Sequence, residues 1–128
     1  MTEAEWLEGR IPSEMQDALL GKTSDRKLRL LDAACAYYPA QWTMQSVLMR
    51  EILGNPFRPI NVDQTWLTPD VLAIALGIYE DRAFNRMPIL ADALQDAGCD
   101  NDYLLNHCRG PGPHVQGCWV VDAILGKA

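Results

Sequence analysis

The tripeptide Thr68-Pro69-Asp70 constrains this chain more than any other feature. A capping hydroxyl, a proline at the first helical position and an acid in the first turn together make a helix start signal. The residues that follow are apolar on nearly every side. Leu72, Ala75, Leu76, Tyr79 and Ala83 form one stripe at helical spacing, while Val71, Ile74 and Ile78 line much of the other side. A helix with so little polar surface must be covered by other elements, so it is expected at the centre of a helical assembly.

The rest of the chain supplies those elements. Thr23-Ser24-Asp25 opens a helix with Leu28, Leu31, Cys35 and Tyr38 on one face, which Pro39 should end. A helix over residues 41–53, with Met44, Val47, Leu48 and Ile52 inward, stops at Gly54-Asn55-Pro56, and an extended loop follows through Pro59. Pro88 opens a helix carrying Leu90, Ala93, Leu94 and Ala97, closed by Gly98. Asp100 can cap a short helix with Leu104, Leu105 and Cys108, and a last helix with Cys118, Val121, Ile124 and Leu125 ends at Gly126. Alternating patterns are scarce, the best being residues 59–62. The expectation is one all-α domain over residues 1–128, a compact bundle of six or seven helices with a Gly/Pro-rich loop before the last. With 128 residues, 48% of them apolar, the chain can bury a core without metals or disulfides as obligatory staples.

Charge argues against several partners. The net charge of −6 opposes nucleic acid and anionic membrane surfaces. Residues 63–102 hold eight acids against Arg82 and Arg86, which reads as a solvated acidic face or a docking surface for a basic partner. A short basic cluster, Arg26, Lys27 and Arg29, lies upstream. No run approaches the roughly 20 apolar residues of a membrane span, and the acidic start MTEAEWLEGR has no export signal, so a cytoplasmic location and free thiols are expected.

Chemistry concentrates in CDNDYLLNHCRGPGPHVQGC, residues 99–118, which holds three of the four cysteines and both histidines. Thiolate and imidazole are preferred zinc ligands, and the glycines would let the backbone bend around an ion. Cys99, Cys108, His114 and Cys118 give the spacing C-x8-C-x5-H-x3-C, with His107 as a fifth candidate; no C-x2-C element is present. The same cysteines fit a buried apolar face, and either histidine fits a helix C-terminus. A thiol nucleophile would use Cys108 or Cys118 with His114 and Asp122.

Weaker signals are Asp92 with Asp96, four apart on one helical face, and Asp100-Asn101-Asp102, which lacks the glycine and glutamate of a calcium loop. Phe57 and Trp66, in loop-like sequence beside Arg58, could anchor a partner, and the rigid turn after residue 109 would present Arg109 and His114.

The blocks MTEAEWL, KTSDRKLRLLDAAC, REILGNPFRP, WLTPDVLAIALGIYEDRAFNRMPILADALQDAGCD and HCRGPGPHVQGCWVVDAILGK, in that order, resemble a large paralogous family of bacterial proteins abundant in planctomycetes. Many members are longer between the positions of Cys35 and Arg50. The resemblance implies no reaction or ligand, but it places Cys99, His107, Cys108, His114, Cys118 and Trp119 in the family's characteristic block. The functional expectation is a non-catalytic interaction or regulatory module with an unknown protein partner and no cofactor. Its alternatives are a zinc-stabilised domain and a thiol-dependent enzyme.

Overall fold

The start signals operate where the sequence puts them. A computed structural model describes residues 1–9, 14, 15, 19, 23–38, 41–58, 60–110 and 112–127. Among them are seven α-helices: α1 (Glu3–Glu8), α2 (Asp25–Cys35), α3 (Trp42–Leu53), α4 (Pro69–Asp81), α5 (Met87–Asp96), α6 (Asp102–Arg109) and α7 (Trp119–Leu125). Single 3₁₀ turns lie at Gln64–Trp66 and Phe84–Arg86. No described residue is in a strand; residues 60–62 are irregular, and Pro39, Pro59 and Pro111 lie outside the described residues.

Side-chain caps start α1, α2, α4 and α6, proline stands in the first turn of α4 and α5, and α3 and α7 begin without either. Thr2 and Glu5 form a reciprocal capping box on α1. Ser24 accepts the Lys27 N–H at the start of α2, and Thr68 accepts that of Val71 at the start of α4. Asn101 rather than Asp100 caps α6, accepting from Leu104 at 3.1 Å. Gly98 and Gly126 take positive φ after α5 and α7, whereas α4 ends on Arg82, a non-glycine at φ 53°.

Buried apolar residues fall into two clusters. The first joins Trp6, Met15, Leu19 and Leu31 to Leu48, Met49 and Ile52, with α2 packed along α3. The second spans Trp66 to Ile124: α4 packs on α5 and α7, α5 packs on α6, and α7 also touches α3 and α6. Helix α4 is thus covered on one side only. Val71, Ala75 and Ile78 are fully buried, but Leu72 and Leu76 are 38% and 44% exposed. The inward stripe is the one through Val71, Ile74, Ala75 and Ile78, because α5 and α7 both pack against that face.

Polar links join segments far apart in the chain. The Trp6 indole N–H donates to the Gly54 carbonyl at 3.0 Å. Asp122 of α7, 1% exposed, takes Arg26 Nη1 at 2.8 Å and Lys27 Nζ at 2.6 Å from α2. Lys27 completes its three donors on the carbonyls of Ile52 and Gly117, so the buried acid and the ammonium are both satisfied.

Candidate metal centre

Three segments converge where α3 meets the loop between α6 and α7. Glu51 comes from the last turn of α3 and is 3% exposed. Its phase explains the burial: it lies one turn after Leu48, which is buried in the first cluster, and so on the inward side of α3. His107 lies three residues after buried Leu104 on α6, one turn after Tyr103. The Tyr103 ring stacks on Trp119 at 5.3 Å, and the His107 ring meets the same indole at 5.1 Å, so Trp119 fixes the imidazole from one side. His114 sits in the loop after the cis Gly112–Pro113 bond, and Cys118 immediately precedes α7.

One carboxylate oxygen, Glu51 Oε1, receives both imidazoles: His107 Nε2 at 2.7 Å and His114 Nδ1 at 2.8 Å. The other, Oε2, accepts the Val115 backbone N–H at 2.8 Å. Cys118 Sγ lies 3.6 Å from His107 Nε2. One ligand atom from each of Glu51, His107, His114 and Cys118 falls within 4.8 Å of all the others.

The electrostatics follow from burial and this shared contact. Burial by itself would raise the Glu51 carboxyl, but the hydrogen bonds from His107 and His114 outweigh it and hold the group below its ordinary range. Burial lowers the His114 ring, while Glu51 and the Gly110 backbone more than offset that and leave it raised. His114 Nε2 is buried without a hydrogen-bond partner of good geometry. Burial pushes every thiol up, Cys108 to about 12 and Cys118 well above its ordinary value. Burial thus disfavours the thiolate form at each of them.

The structure redraws the ligand set expected from sequence. His107, His114 and Cys118 meet, and Glu51, 56 positions before His107, joins them. Cys99 and Cys108 stand outside the group and pack in the second apolar cluster at 4% and 0% exposure. Their direction is set by α6: Cys108 points to the core with Leu104 and Leu105, about 100° from His107. All four cysteines are free thiols.

The expected partner anchors separate. Trp66 is buried in the second cluster and not displayed, because its 3₁₀ turn folds it inward ahead of α4. Phe57 is 39% exposed, and Arg58 reaches back to pair with Glu3. Arg109 is engaged by Asp92 at 3.1 Å and Gln95 at 2.8 Å on α5, so it braces two helices. Trp42, at 61% exposure, is the tryptophan left on the surface.

Comparison with protein families, curated proteins and solved structures finds no match to this chain. Among the described residues no helix is long and apolar enough to cross a membrane.

Proposed function

We propose that this chain is a zinc-binding domain in which Glu51, His107, His114 and Cys118 hold one ion that fastens the first apolar cluster to the second. The observation that carries the reading is the convergence of four ligand atoms of zinc's preferred types within 4.8 Å. Zinc–ligand bonds of about 2.0–2.3 Å at tetrahedral angles place ligand atoms roughly 3.3–3.6 Å apart. The Cys118–His107 separation of 3.6 Å matches that spacing, and the two hydrogen-bonded pairs at 2.7 and 2.8 Å need to part by about half an ångström. A glutamate and a cysteine thiolate balance the charge of a divalent ion, so the loaded site buries no net charge. The Val115 N–H on Glu51 Oε2 is the kind of supporting bond that orients a ligating carboxylate.

The test is metal content by plasma mass spectrometry on untagged protein, with melting measured before and after chelation. About one zinc per chain is expected. Free zinc at a hundred times Kd should raise the melting temperature by roughly 10 °C over the chelated protein. His114→Ala should lose the metal, and Cys99→Ser, outside the cluster, should keep it. Less than a tenth of an equivalent after growth in zinc, with melting unchanged by chelator, would overturn the reading.

A further inference from the structure

A cleft of about 320 Å³ opens onto the four-residue cluster, and three of its members, Glu51, His107 and His114, form part of the cleft wall. Cys118 does not; it is 1% exposed and closes the site from the core side. Four protein ligands fill zinc's tetrahedral positions, but the cleft leaves one side of this group open to solvent, from which a fifth donor can approach. The rest of the wall combines the apolar residues Leu7, Val47 and Pro113 with three polar ones, Arg50, Tyr103 and Asn106. A largely apolar cleft with a few polar groups is the usual form of a small-ligand site.

Resting on the zinc reading, we propose that the metal in this cleft takes a small organic carboxylate as an exchangeable ligand, one carboxylate oxygen on the ion and its apolar body against Leu7, Val47 and Pro113. Charge selects the class. Once the ion and its two anionic ligands cancel, Arg50 is the only charged side chain left among the described residues of the cleft wall, so the site favours a monoanion. Arg50 is held in place by donating Nη1 to the carbonyls of Trp6 at 3.0 Å and Gly9 at 2.9 Å. Its remaining N–H groups make no hydrogen bond to any described residue, and a guanidinium has a fork suited to a carboxylate. Zinc expands to five donors when the incoming carboxylate reaches it, which changes the coordination sphere.

The experiment uses the full chain loaded with cobalt(II), whose visible bands report ligand number. Isovalerate is titrated as the probe, with isovaleramide as its uncharged counterpart. A saturable change in band intensity with isovalerate and none with isovaleramide is the expected result. Arg50→Gln should weaken isovalerate about tenfold. Leu7→Trp fills the cleft from a residue that is 44% exposed, so it tests access without touching a ligand; it should abolish the isovalerate response while leaving cobalt uptake at one equivalent. Tetrahedral cobalt bands that isovalerate does not move, or moves equally in Leu7→Trp, would overturn the cleft proposal and leave the metal site standing. Failure to bind cobalt at all would overturn both.

Discussion

Two buried acids, Asp122 and Glu51, are satisfied in different ways, and the difference predicts what each does when changed. Asp122 faces permanent cations: Arg26 at 2.8 Å and Lys27 at 2.6 Å, the lysine side chain only 12% exposed. Asp122→Asn strands that ammonium. Breaking a buried pair from one side costs about 3–5 kcal/mol, and because Lys27 keeps two carbonyls the loss should sit near the lower end. Urea denaturation reads it directly; a loss under about 1 kcal/mol would mean that water reaches Lys27 freely. Glu51 instead faces two histidines whose charge is conditional. In sequence Glu51 looks like an ordinary surface carboxylate beside Arg50, and only its phase with Leu48 and Ile52 betrays its burial. The histidines and Cys118 were legible because that concentration of residue types is unusual. Their partner was not, since no pattern within a helix says what lies across from it in space. The same holds for Asp122, 96 positions from Arg26.

Helix starts and stops were the most legible part of the chain, because caps, prolines and glycines act within three or four residues. Which face of α4 turns inward was not, since both of its sides are apolar and the choice belongs to α5 and α7. Loop geometry around the cluster is also set from outside, and two glycines separate the contributions. Gly117 and Gly98 have nearly equal positive φ, 99° and 98°. A Cβ on Gly117 would meet Leu30 Cδ1 at 2.9 Å, whereas one on Gly98 would meet nothing within 4 Å. Gly98→Ala should therefore cost only the left-handed strain, about 1 kcal/mol, and Gly117→Ala about 1–3 kcal/mol more from overpacking. Equal losses on denaturation would show that Leu30 gives way. Gly117→Ala should also retain less zinc, because its residue adjoins Cys118 and its carbonyl holds Lys27.

For the whole molecule, the proposed zinc should reverse the response to pH. In chelated protein, Glu51 sits below its ordinary value of 4.5, so its contribution is present above 4.5 and is lost as pH falls through the folded value. His114 sits above its ordinary value of 6.5, so its contribution is present below 6.5 and is lost as pH rises through the folded value. Both are intact only between about 4.5 and 6.5, and stability should decline from there toward pH 8. Zinc requires the Cys118 thiol and the imidazoles deprotonated, so the stabilisation it adds should grow over that interval. Melting curves from pH 5.5 to 8 should diverge with and without the ion; parallel curves would show that no proton is released on binding. The spread of the cluster along the chain also has a consequence in time. Glu51 is synthesised 67 positions before Cys118. At roughly 5–20 residues per second, that is about 3–13 s during which water is its only partner. A carboxylate in water keeps its side of α3 open, so α3 reaches its final setting against the histidine loop only after translation has passed that loop.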